Sequence, residues 1–212
     1  MKRLSFILVL LVSVGIVWLP GSVLALNYAD PDGSVDSDKP PLNILGGMGA
    51  VDFQNMFDPN QAIDNRYFPM ADRSTTRIFE SDDGEESFEL SNVGPGRVIM
   101  GVQTSTQLDR AFEEGLLVEE TFDYYAQDIH GRVWYMGEDV TNYEYDDDGN
   151  LVDINNESAW IADGEDALPG WIMPDDPAGE IGLSYYQEIA AEDEALDEGT
   201  LWALIDEVVL EN

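Results

Sequence analysis

The stretch from Leu116 to Glu138 constrains the fold more than any other part of the chain. Phe122, Tyr124 and Ala126 recur at every second position, with Asp123, Tyr125 and Gln127 between them. Side chains of an extended strand point alternately to its two faces, so each set occupies one face. Ile129-His130-Gly131 interrupts the run, after which Val133 and Tyr135 alternate with Trp134 and Met136. Aromatic and β-branched residues at this period, broken by a glycine-containing turn, predict an antiparallel hairpin of Leu116–Asp128 with Arg132–Glu138. Both faces carry aromatic rings. A sheet with one wet face shows cleaner alternation, so part of the second face is expected to be covered by a loop, a ligand or a neighbouring chain.

Further strand candidates are Thr75–Glu80, Ser87–Leu90, Arg97–Thr106, Val140–Tyr145, Leu151–Ile154 and Leu183–Ile189. Asp82-Asp83-Gly84, Val93-Gly94-Pro95-Gly96 and Asp146–Asn150 are the expected turns. The predicted fold class is mainly β: a single curved antiparallel sheet, a half-barrel-like meander. Between Trp160 and Tyr186 an apolar stretch is broken by Pro169-Gly170, Pro174 and Asp176-Pro177. It is expected as a Pro-rich loop packing on the sheet. At the C-terminus Leu201, Leu204, Ile205 and Val208 fit a helix face capped by Thr200, whereas Val208-Val209-Leu210 favours strand. A short C-terminal helix or strand is therefore expected.

The N-terminus reads as a leader. Met1-Lys2-Arg3 is a basic head, Leu4–Leu19 is an apolar run, Pro20-Gly21 breaks it, and Val23-Leu24-Ala25 suits a signal peptidase. The run is shorter than the roughly 20 residues that span a bilayer. The expected organisation is residues 1–25 as a signal peptide cleaved after Ala25, 26–62 as an acidic flexible segment, and 63–212 as the antiparallel β domain. The product is then secreted or periplasmic. The chain has no cysteine, which excludes disulfides, thiolate metal sites and a lipid anchor at the cleavage site.

Charge restricts the partners. Against 9 Lys+Arg stand 44 Asp+Glu, a net charge of −35 at pH 7. Nucleic acid and anionic membrane surfaces require a basic face, so neither is an expected partner. Divalent cations are. Scarce lysine with abundant acids also fits adaptation to high salt, where charge serves hydration alone.

The residues 119–128, Glu-Glu-Thr-Phe-Asp-Tyr-Tyr-Ala-Gln-Asp, followed by 131–138, Gly-Arg-Val-Trp-Tyr-Met-Gly-Glu, resemble a hairpin motif of bacterial secreted proteins of unknown function. That motif reads D-W/Y-Y-A-Q-D…G-x-V-W-Y-x-G-E. Asn65–Met70, Pro169–Pro174 and Ser184–Glu188 are similar to other segments of the group. The layout is also similar to the half-barrels of lipoprotein-carrier type, which bears on fold and not on function. Members of the group continue through further strands. On that pattern this chain leaves a sheet edge open to its own tail, a protein partner or self-association.

Two acidic clusters suit calcium, which takes oxygen ligands from flexible loops. They are Asp30, Asp32, Asp36 and Asp38, and Asp146, Asp148 and Asp153. Calcium is the expected cofactor. Tyr124, Trp134, Tyr135, Trp160 and Trp171 are the candidate ligand-binding aromatics, with the core of a β domain as the competing role. The sole histidine, His130, falls in a predicted turn, and no nucleophile–base pairing is apparent, so an enzyme is not expected. The expected function is a secreted, acidic, non-enzymatic binding or structural module. The alternative is a carrier of a hydrophobic or lipid-like ligand on the aromatic face of a half-barrel.

Overall fold

Long strands dominate because β-branched and aromatic residues alternate with polar ones over most of the middle of the chain. The computed structural model describes residues 36–70, 72–164, 166–177, 179–190 and 195–202. The expected leader, Asp30, Asp32 and the tail beyond Trp202 lie outside these. Strand β1 spans Thr76–Glu80, β2 Glu86–Ile99, β3 Val102–Glu113, β4 Leu116–Gln127 and β5 Val133–Tyr145. Consecutive strands pair antiparallel into a curled, half-barrel sheet. The mainly β, half-barrel expectation is met.

Three short strands share the second edge of β5. They are β6, Leu151–Asn155, then β7, Trp160–Ile161, and β8, Leu168–Met173. Strand β10, Glu188–Ile189, continues the sheet beyond β8, while β9, Ser184–Tyr186, pairs separately with β11, Glu198–Thr200. The Pro-rich stretch therefore enters the sheet edge through β8 rather than lying across a face, with Trp171 opposite Trp134. The predicted strand Leu183–Ile189 is split at Gln187 between two pairings. Within the described part of the C-terminus, the ordered element is strand β11.

Two turns differ from expectation for local reasons. Gly94-Pro95-Gly96 does not reverse the chain but sits inside β2, where the register with β3 shifts twice. A Cβ on Gly96 would stand 2.4 Å from Thr106 Oγ1, so this backbone approach requires glycine. The reversal comes at Met100-Gly101, with φ of 49° and 80°, between paired Ile99 and Val102. Both residues are left-handed, the geometry of a two-residue hairpin turn whose twist matches the strands.

Packing divides the sheet into two regions. Toward the Ile129–Arg132 turn both faces are covered. Helices α1, Leu42–Leu45, and α2, Ala50–Gln54, supply buried Leu42, Leu45 and Phe53. Phe53 and Phe57 meet the Trp134 ring edge-on at 5.4 Å and 6.1 Å. Phe68 meets Tyr125 on the other face at 4.9 Å. The described part of the 26–62 segment thus supplies core residues rather than acting as a free acidic linker, because its apolar side chains seal Trp134. The other end of the sheet lacks such a cover. Strands β1 and β6 are largely exposed, with Ile78, Phe79, Val152 and Ile154 more than half accessible at 59%, 54%, 60% and 54%.

Candidate functional site

The hairpin predicted from sequence contains an irregularity that builds a site. In the register of β4 with β5, Asp123 faces Glu138 and Tyr125 faces Tyr135, so β5 has one extra residue between the two pairs. This bulge centres on Gly137, whose φ is 130°. A Cβ there would stand 2.5 Å from the Trp160 carbonyl oxygen. Without the bulge, Tyr135 and Glu138 would point to opposite faces. With it, Glu138 joins the face of Tyr135 and Asp123: the Tyr135 hydroxyl lies 2.6 Å from Asp123 Oδ1 and 2.7 Å from Glu138 Oε2.

Proton counting makes this arrangement informative. An ionised carboxylate only accepts hydrogen bonds, and a phenol has a single hydrogen to donate. One hydroxyl therefore cannot serve two carboxylates at once. One acid must be protonated and donate to the phenol oxygen. Electrostatics agrees. Burial, then the charges of Glu188 and Asp123, push Glu138 up to about 9. Burial, against the Tyr135 hydrogen bond and with repulsion from Asp109 and Glu119, raises Asp123 to about 7. Glu188 rises to about 8 through burial and then Asp197. Asp109 rises to about 6 through burial and then Glu119. The Tyr125 and Tyr135 hydroxyls are pushed well above their ordinary value by the same burial and negative charge.

The surroundings give this charge little relief. Among the described residues the four ion pairs are Lys39–Glu198, Arg97–Asp139, Arg110–Glu120 and Arg132–Asp128, and none includes these raised acids. The Tyr125 and Tyr135 rings stack at 4.9 Å, and Trp160 closes on Tyr135 edge-on at 5.4 Å. The Trp160 indole N–H is buried with no acceptor in hydrogen-bond geometry, yet lies near enough to Glu188 to oppose its upward shift.

The aromatic candidates do not line an open groove. Trp134, Tyr135, Trp160, Trp171 and Tyr124 are all buried. Trp134 and Trp171 meet edge-on at 5.8 Å. Tyr135 and Trp160 belong to the carboxylate site. The Tyr124 hydroxyl donates to Asp139 at 2.6 Å beside Arg97.

The Asp-rich loops are occupied by their own turns. Asp146 Oδ1 accepts the backbone N–H of Asp148 at 3.0 Å and of Asn150 at 2.8 Å, and the bonds to Asn150 hold its pKa below the usual carboxylate range. Asp153 is placed opposite Glu144 across β5 and β6. Asp36 Oδ1 accepts from the Asp38 backbone at 2.9 Å. Among the described residues no three His, Cys, Asp or Glu side chains stand together at metal-ligating spacing. His130 is exposed in its turn.

The sequence reading did not single out Asp123, Glu138, Glu188 or Asp197. Strict alternation puts Glu138 with Trp134 and Met136, away from Asp123. The usable signal was an acid inside each of two aromatic strands, with a glycine preceding the second.

The chain matches no family model, no curated protein and no solved structure.

Proposed function

We propose that the protein is an exported, non-enzymatic acidic module that takes up a divalent cation, calcium by its chemistry, among Asp123, Glu138 and Glu188. The carrying observation is the single Tyr135 hydroxyl set between two carboxylate oxygens at 2.6 Å and 2.7 Å, with no ion pair to either acid among the described residues. Calcium favours carboxylate oxygens and tolerates irregular geometry. Ligating carboxylates are held by outer hydrogen-bond donors, a role Tyr135 O–H and Trp160 N–H can fill. The side chains must turn inward to bind, since their present spacing is not that of ligands. The ion then replaces the proton that the site holds without it. The basic, apolar, small-residue order of residues 1–25 supports export. The burial of Tyr124, Trp134, Tyr135, Trp160 and Trp171 supports this reading over a carrier that holds its ligand on an open aromatic face.

Thermal unfolding of the full chain with CaCl₂ and MgCl₂ tests this reading. Calcium at about a hundredfold above its Kd stabilises by about 2.7 kcal/mol, with a Kd on the order of 10⁻⁴–10⁻³ M. The response saturates, is larger at about pH 8 than at about pH 5, and disappears in Glu138→Gln. Equal, non-saturating responses to both ions, unchanged by that substitution, would mean charge screening alone and refute the site.

A further inference from the structure

The uncovered end of the sheet holds a second feature, next to the carboxylate site and in electrostatic reach of it through Glu119. On the face that carries Asp123, β2, β3, β4 and β5 enclose a hollow of about 320 Å³. Its floor includes Phe88 and Val118, both half-buried, and its charged lining is entirely acidic: Glu86, Glu113 and Glu119. Phe79 on edge strand β1 stands opposite Phe88, so the apolar row runs out to an exposed edge. An apolar floor with an acidic rim fits the aliphatic stem and cationic head of lysine or arginine.

We propose that this hollow docks a basic segment of a partner protein, laying lysine or arginine stems on Phe88 and Val118 and their heads against Glu113 and Glu119. Charge selects this occupant over the others. A second copy carries the same net charge of −35 and is repelled. The parts of this chain outside the described residues contain only Lys2 and Arg3 as bases, both within the expected leader. Anionic lipid surfaces are repelled as well.

The probe is a fluorescein-labelled peptide of alternating lysine and leucine, with a glutamate–leucine peptide as its control. Anisotropy is read on the full chain at roughly 0.05 M and 0.5 M NaCl. The lysine peptide binds and the glutamate peptide does not. Glu113→Lys weakens binding about tenfold. Glu114→Lys makes the same charge change in the neighbouring β3–β4 turn, outside the lining, and weakens binding less than about threefold. High salt weakens but does not abolish wild-type binding, because the apolar floor remains. Equal loss in both variants would indicate diffuse attraction and overturn the proposal. So would a dimer that blocks the peptide, or oleate displacing it from the hollow. Circular dichroism of each variant confirms that a loss of binding is not a loss of fold.

Discussion

Asp128 and Asp123 lie five residues apart on one hairpin and are both withdrawn from solvent, but they are held in opposite ways. Asp128 accepts four hydrogen bonds: from the backbone N–H of His130 and of Arg132, from Arg132 Nε at 2.6 Å and from Trp134 Nε1 at 2.9 Å. A guanidinium balances its charge, and its four donors close the turn. Asp123 shares one phenol with a second acid, has Gln107 as its other side-chain hydrogen-bond partner, and has no ion pair among the described residues. Burial alone does not distinguish the two carboxylates; the supply of donors and counter-charge does. The first is complete without a ligand. On the proposed function, the second is complete only with a proton or another cation.

The sharpest contrast should come from removing each charge. Asp128→Asn leaves the Arg132 side chain, only 13% exposed, without its counter-charge. Breaking such a pair costs about 3–5 kcal/mol, measurable by urea unfolding. A cost below about 1 kcal/mol would erase the difference between the two acids.

Next in size is Gly137→Ala. A left-handed φ of 130° and a Cβ 2.5 Å from a carbonyl oxygen predict a loss of about 2–3 kcal/mol. If the protein tolerates alanine without loss, the bulge does not hold Tyr135 and Glu138 together.

Glu138→Gln should act in the opposite direction and with pH. Raised folded-state pKa values mean that the native state keeps protons that the unfolded chain releases. Stability from Glu138 is therefore full below its ordinary value of 4.5 and is lost as pH rises toward about 9. Glutamine supplies a permanent donor, so the variant should be more stable than wild type by about 1–3 kcal/mol near pH 8 and close to it near pH 5. Parallel pH–stability curves for the two proteins would contradict this. The smallest effect belongs to Asp148→Asn. That side chain is exposed and Asp146 already closes the loop, so the change should stay within about 0.5 kcal/mol with or without calcium.

The sheet was legible in the sequence because period-two patterning survives wherever strands are regular, as in β1 and in the part of β4 from Glu119 to Gln127. The reversal at Met100-Gly101 was not, because methionine is an unusual first residue for a turn that needs two left-handed conformations. Gly94-Pro95-Gly96 has turn composition but serves a close approach to Thr104 and Thr106. The carboxylate site was hidden by the same kind of departure. One extra residue at Gly137 reverses the face of Glu138, and strict alternation contains no hint of the change. Helix α2, Ala50–Gln54, is too short for a helical period to mark its buried face, so the role of Phe53 in sealing Trp134 was not legible.

The most direct measurement is the protonation of the two acids that share Tyr135. Carbon-13 NMR of labelled aspartate and glutamate side chains, titrated from about pH 4 to about pH 10, follows Asp123 and Glu138 separately, with Asp123→Asn and Glu138→Gln as assignments. At neutral pH one of them should be a neutral carboxylic acid, and saturating calcium should release about one proton from the pair. If both ionise together below about pH 5, with no response to calcium, the site holds no shared proton and the distinction from Asp128 fails.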